Sequence, residues 1–309
     1  MSSVTVAAIL ERYIQEMPLI NPDKPIGTSH LYTLRRLQGS AIGRRPAAKL
    51  TKGDVIEHCK QRRAAGVQPQ TINQDITYLA GPLKFAGAAW DDCEDVSAAA
   101  IAAAMPLLKK YQLIGKSRPR SRRPSDDEIE RLLAYYSQPP KKNAKNHIYA
   151  MRDIVEFSIY SARRISETCR LRWGDVNGED MTCVVRDMKD PRQKKGNDHV
   201  FPLLGRAWDI VMAQPRKNPA NPEERIFPFN AKSVGAKYTR AKNALGIENL
   251  RLHDNRREAA SRAFEGTLNG RKYGVPEVMV LTGHKNPQML MRVYTKLNAR
   301  DLQPKKEAA

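Results

Sequence analysis

The sequence predicts a mainly α-helical protein with a small β-sheet, divided into two domains. Three observations predict it. Apolar residues recur at helical spacing through most of the 309 residues, one pair of short β-prone runs interrupts them, and a proline-broken basic segment separates the two parts.

In residues 1–115, Val6, Ile9, Leu10, Tyr13 and Ile14 mark one helix face, and Leu31, Leu34 and Leu37 mark another before Gly39. Thr51 with Asp54 reads as an N-terminal cap for a helix running to about Ala65. Ile72, Ile76, Leu79 and Leu83 follow one face of a long helix over 71–86, and the alanine run 98–104 gives a further helix. The most basic part, Arg35–Arg63, holds nine Lys/Arg against Asp54 and Glu57. Arg35, Arg36, Arg44, Arg45, Arg62 and Arg63 are therefore candidate contacts to nucleic acid.

Lys116–Pro124 is the clearest boundary, because its two prolines exclude a continuous helix and five positive charges within 116–123 keep it extended. It reads either as a charged linker or as a strap laid along phosphates by Arg118, Arg120, Arg122 and Arg123. The strap is favoured, since both flanking domains look DNA-binding. Beyond it, Ser125 with Glu128 is a capping box that opens a helix through Tyr136, and 148–160 is an apolar helix. Met181–Asp187 and His199–Leu204 read as a β-hairpin. Helices follow at about Lys232–Leu245, Asp254–Phe264, Pro276–Leu281 and Pro287–Tyr294.

The formal charge of +20, from 53 Lys+Arg against 33 Asp+Glu, makes a polyanion the leading partner, although a basic surface can also serve solubility alone. Cys59, Cys93, Cys169 and Cys183 lie far apart with no C-x-x-C pair, which argues against zinc and disulfides and fits a reducing cytoplasm. No apolar run approaches the ~20 residues of a membrane span. No signal-peptide pattern is visible, so the expected placement is cytoplasmic. No Asp/Glu/His cluster has ligand spacing, and neither a metal nor another cofactor is expected.

Five residues of the second domain stand out by type and order: Arg164, His253, Arg256, His284 and Tyr294. Singly each is weak, since a lone histidine is more often packed or on the surface and a tyrosine at helical spacing is more often core. Together they are the groups needed to move a phosphodiester from DNA onto a tyrosine. Two arginines stay charged at any working pH and can clamp nonbridging phosphate oxygens. They favour the more highly charged pentavalent transition state over the ground state. A tyrosine hydroxyl, with an unperturbed pKa near ~10, needs its developing charge stabilised. His284 can donate a further hydrogen bond to the phosphoryl group, and His253 can assist proton removal from Tyr294. Glu167, one helical turn from Arg164, orients the arrangement.

The set resembles the tyrosine recombinase (phage integrase) family, over nearly the whole chain. Arg164-Ile-Ser-Glu167 followed by Leu171-Arg-Trp-Gly-Asp-Val176 is similar to the family's first arginine box, and His253-Asp-Asn-Arg256 to its H-x-x-R box. Leu281-Thr-Gly-His284 and Tyr294 match the box that ends at the nucleophile. The N-terminal helices and Thr71-Ile-Asn-Gln74 resemble its core-binding domain. The sequence departs at Ala162, where the family usually has glycine, and at Arg163 and Asn255, where it has aliphatic residues.

The resemblance implies a SAM-like helical core-binding domain over 1–115, a basic linker over 116–124, and an α+β catalytic domain with a C-terminal tail over 125–309. It implies a site-specific recombinase of double-stranded DNA sites that forms a 3′-phosphotyrosine and exchanges strands through a Holliday junction, without metal or ATP. Four protomers would assemble on two sites, each clamping the duplex between its domains, with accessory DNA-bending factors as further partners. Residues after Tyr294, including Leu297 and Leu302, would pack on a neighbouring protomer. The chain begins almost at the core-binding helices, which points to a simple recombinase without an arm-binding domain. The family also uses a hairpin lysine to protonate the departing 5′ oxygen, and the hairpin offers Lys189, Lys194 and Lys195. Counting back from Pro202 favours Lys194, whereas the rigid end of the first strand favours Lys189, and Lys189 is the expected acid.

Two other readings share the residues. A non-cleaving DNA-binding regulator on the same fold would have no need of the nucleophile and both arginines. A type IB topoisomerase-like nicking-closing enzyme would act as a monomer with little site preference.

Overall fold

The computed structural model describes residues 4–23, 25–117, 120–138, 149–188 and 195–294, with the backbone alone for 149, 150, 289 and 292–294. The chain divides into two compact units, Met1–Arg118 and Pro119–Ala309. No helix among the described residues is long and apolar enough to cross a membrane.

The first unit holds α1 (Val6–Ile20), α2 (Thr28–Gln38), α3 (Lys52–Ala64), α4 (Pro69–Ala89) and α5 (Ala99–Lys110). The Thr51–Asp54 capping box opens α3: the Asp54 amide donates to Thr51 Oγ1 at 3.2 Å and the Thr51 amide to Asp54 Oδ2 at 3.0 Å. The predicted stripes form one core, in which Val6, Leu34, Val55, Ile72, Leu79 and Leu83 have no exposed surface. At Gly87 in α4 a Cβ would lie 1.9 Å from the Val96 carbonyl oxygen, so only glycine lets the helix pass that turn. Helix α4 runs past its predicted end at 86 to Ala89, and α5 runs past 104 through Pro106 to Lys110.

The second unit begins with α6 (Asp126–Ser137), opened by the Ser125–Glu128 capping box, followed by α7 (Tyr149–Ser161) and the single turn α8 (Ile165–Thr168). Strands β1 (Val176–Asn177), β2 (Thr182–Val185) and β3 (His199–Pro202) form an antiparallel sheet in that order, with Val176 opposite Cys183 and Cys183 opposite Phe201. The periodicity predicts a two-stranded hairpin; β1 spans two residues, too few for any alternation to register. Helices α9 (Arg206–Met212), α10 (Ala231–Ala244), α11 (Leu252–Glu265), α12 (Val275–Thr282) and α13 (Pro287–Tyr294) complete it. Of these only α9 is unannounced in the sequence, a seven-residue helix after Gly205 at φ +47°. The main core joins Ile154, Phe157, Phe201, Val211 and Phe227, all fully buried. Each such side chain contributes about 1.5–3 kcal/mol by leaving water. A second, smaller cluster of Ala162, Ala259, Ala260, Ala263, Val278 and Leu290 lies where α11, α12 and α13 meet.

Candidate active site

The short connection between α7 and α8 places Arg164. Its guanidinium Nη1 donates to Glu167 Oε1 at 2.6 Å and its backbone amide to Glu167 Oε2 at 3.1 Å. Glu167 is buried and thus anchors a side chain that remains 29 % exposed. Burial raises the Glu167 pKa, but the charges of Arg163, Arg164 and Arg256 outweigh it and hold the carboxyl below its usual range. The loop turns on Ala162, whose φ of +54° is the left-handed conformation that favours the glycine expected there.

Helix α11 supplies Arg256, which is 2 % exposed. Its Nη1 donates to Ala162 O at 2.5 Å, its Nη2 to Thr282 O at 2.6 Å, and Glu167 Oε2 lies 4.0 Å away. One guanidinium thus joins the Arg164 loop to the end of α12. Asn255 beside it sits in the core, donating to Ser158 Oγ at 2.9 Å and accepting from Tyr238 OH at 3.2 Å. That polar chain accounts for an asparagine where the family has an aliphatic residue. It also makes Tyr238 a core residue, with its hydroxyl pKa raised by burial.

His284 follows α12 after Gly283, which has φ +72° and at which a Cβ would meet Met188 Cε at 2.6 Å. The Thr282 hydroxyl donates to Val278 O at 2.7 Å and lies 2.7 Å from His284 Nδ1. Burial first, then Arg256, Arg164 and Arg163, push the His284 pKa down to about 4. His253, in the first turn of α11, is also lowered, by desolvation first and then by Arg256 and Arg164. Near neutral pH both imidazoles are uncharged. The three guanidiniums against one carboxylate therefore leave a net charge of +2.

The root of the hairpin is tied to the same place. Met188 and Asn197 exchange hydrogen bonds at 2.8 Å, Lys285 Nζ donates to Asn197 Oδ1 at 2.8 Å, and His199 Nε2 lies 2.6 Å from Val280 O. Asn197, His199 and Lys285 carried no signal in the sequence, because their roles rest on contacts between segments about 80–90 residues apart. Lys189 and Lys194 fall outside the described residues, whereas Lys195 is described and exposed. Tyr294 is the last residue of α13, which packs against α11 and α12.

The basic candidates divide. Arg36 and Arg62 grip the buried Asp75 at 2.5 and 3.0 Å, Arg45 pairs with Asp54 at 2.8 Å, and Arg63 donates to Val67 O at 2.7 Å. Arg35 and Arg44 are exposed. Arg118 lies outside the described residues. The other three linker arginines are not turned outward as a strap requires. Arg120 donates to Asp254 at 2.8 Å and to the Asn249 backbone carbonyl at 2.7 Å, Arg122 pairs with Glu128, and Arg123 reaches Glu258 at 2.7 Å and Glu265 at 2.5 Å. Asp254, Glu258 and Glu265 all belong to α11, so the linker lies along the helix that carries His253 and Arg256.

Residues 123–301 match the model of the phage integrase family. The chain belongs to that family. A shufflon-specific DNA recombinase of Escherichia coli is 25 % identical over 314 aligned positions, which take in 99 % of this chain and 72 % of that protein. Among solved folds, a Tn1549 transposon integrase bound to transposon right-end DNA matches with a TM-score of 0.68 at 14 % identity, over 96 % of this chain and 97 % of that one. A lambda integrase tetramer bound to a Holliday junction matches with a TM-score of 0.68 at 15 % identity, over 94 % and 77 %. This phage integrase family member therefore has the expected fold, mainly α with a small sheet.

Proposed function

We propose that the protein is a site-specific DNA recombinase that cuts and rejoins strands through a phosphotyrosine, with neither metal nor ATP. The observation that carries this reading is the net +2 cluster of Arg163, Arg164, Arg256 and Glu167, bordered by two neutral histidines. A phosphodiester bears one negative charge and its pentavalent transition state two, so such a cluster binds the transition state more strongly than the ground state.

In the proposed step the Tyr294 oxygen attacks phosphorus and its proton passes to His253. The bond from phosphorus to the 5′ oxygen breaks, and that oxygen takes a proton from a hairpin lysine, assigned as Lys189. Arg164 and Arg256 hold the nonbridging oxygens, with His284 beside them. The phosphotyrosyl ester keeps the energy of the broken bond, so attack by a 5′ hydroxyl rejoins a strand by the reverse path. Arg35 and Arg44 are the proposed outward contacts to DNA, and the working assembly is four protomers on two sites, as in the lambda integrase complex. The protein would act on DNA in the cytoplasm, at the nucleoid.

The test is a denaturant-resistant covalent adduct on a nicked cognate site. Wild-type protein should form it, and Tyr294→Phe should bind the same DNA and form none. An adduct that survives in Tyr294→Phe and vanishes in Tyr273→Phe would overturn the assignment.

A further inference from the structure

Helix α12 ends just before His284, and two arginines from other segments hold its last carbonyls. Arg256 Nη2 donates to Thr282 O at 2.6 Å and Arg163 Nη2 donates to Leu281 O. Carbonyls in the last turn of a helix lack helical partners and carry the negative end of its dipole, so cations are favoured there.

Arg163 is an unusual choice for this task. It is 1 % exposed, its Nε donates to Ser161 O at 3.3 Å, and its guanidinium carbon lies 4.5 Å from the centre of the Phe201 ring. Its Nη1 has no hydrogen-bond partner, and the nearest carboxylate oxygen, of Glu167, is 4.0 Å away. Burial and the charge of Arg256 lower its pKa to about 9, so it remains a cation near neutral pH. Filling this volume alone would call for an aliphatic side chain, which avoids the desolvation of a guanidinium. The hydrogen bond Arg163 makes outside its own loop is the one to Leu281 O.

We propose that Arg163 is a positioning residue: by holding Leu281 O it fixes where α12 ends, and so where His284 stands relative to Arg164 and Arg256. It is too buried to touch DNA and acts through the backbone that carries His284. This inference rests on the reading that His284 works at the phosphate.

The experiment is a double-mutant cycle on single-turnover cleavage of a nicked site, using the full chain. Arg163→Met keeps a long apolar side chain and loses the donor, and a displacement of His284 by a fraction of an ångström should slow cleavage by about 10–100-fold with DNA affinity unchanged. In a His284→Ala background the same substitution should cost less than about threefold, because its effect has no route left. Arg163→Lys, which keeps a cation and a donor, should recover part of the rate. An equal loss in both backgrounds, or wild-type cleavage by Arg163→Met, would overturn the proposal. If Arg163→Met does not fold, the cycle is run with Arg163→Leu, which also lacks the donor, and an equal loss or no loss in the two backgrounds again decides against it. Failure of the functional reading looks different: wild-type protein would form no adduct at all, or His284→Ala would cleave normally.

Discussion

The Thr282 hydroxyl fixes the tautomer of His284. Its single proton goes to Val278 O at 2.7 Å, so at the 2.7 Å contact with His284 Nδ1 the oxygen can only accept, and Nδ1 carries the hydrogen. A neutral His284 therefore has its lone pair on Nε2. In the proposed reaction Nε2 would donate to a phosphoryl oxygen only with the ring protonated, a form that the negative charge of a bound phosphate favours.

Replacing Thr282 by valine keeps the shape and removes the acceptor. Cleavage by Thr282→Val should fall about 3–10-fold, the equivalent of one lost hydrogen bond, with DNA binding unchanged. Nitrogen-15 spectra of the imidazole should show Nδ1–H as the main neutral form in the wild type and a tautomer mixture in the variant. Unchanged tautomer populations would refute the assignment.

Stability should fall on mild acidification. His30, His58, His199, His253 and His284 all have pKa values lowered by desolvation. Above about pH 6.5 these groups are neutral in both the folded and unfolded chains and contribute no pH dependence. As the pH drops, the unfolded chain takes up protons that the folded one refuses, so the folded state loses ground. With a folded value of about 4, His284 alone accounts for about 2 kcal/mol by pH 5. Urea unfolding at pH 7 and pH 5 measures this, and His284→Gln should reduce the difference. A flat profile over that interval would count against the buried neutral histidines.

Linker neutralisation separates a brace from a phosphate strap. Arg120→Gln with Arg123→Gln strips the buried Asp254 and Glu258 of one cation each, leaving them Arg257 at 3.4 Å and Arg262 at 2.8 Å, which should cost about 1–3 kcal/mol of stability. The slope of log affinity against log salt should barely move. Had both arginines been phosphate contacts, the slope would fall by about 1.8, at about 0.9 per contact. A fall of that size with unchanged stability would restore the strap.

The sequence carried most of the fold because helix signals are local. The stripes Val6–Ile14 and Ile72–Leu83 and the capping boxes at Thr51 and Ser125 each lie within a few turns of chain, and the helices formed there. Arg164, His253, Arg256 and His284 were legible as residue types in a fixed order, and the fold brings their segments together around Glu167. What stayed hidden depends on contacts between distant segments. Nothing local says that Arg163 reaches Leu281, that Lys285 reaches Asn197, or that Arg120 and Arg123 fold back on α11. The strap reading weighed charge without the acids that meet it, and those acids lie 134 and 135 residues further on.

The linker contacts also decide where the first unit could be exchanged for another. The brace on α11 begins at Arg120, one residue beyond the start of the second unit. A hybrid joined within 116–118 would carry Arg120, Arg122 and Arg123 along with the acids they match, and its active-site helix would be supported as before. A hybrid joined after Pro124 would confront Asp254 and Glu258 with a foreign linker. The natural seam for exchanging the first unit thus lies at 116–118, and Arg120, Arg122 and Arg123 stay with the second unit that they brace.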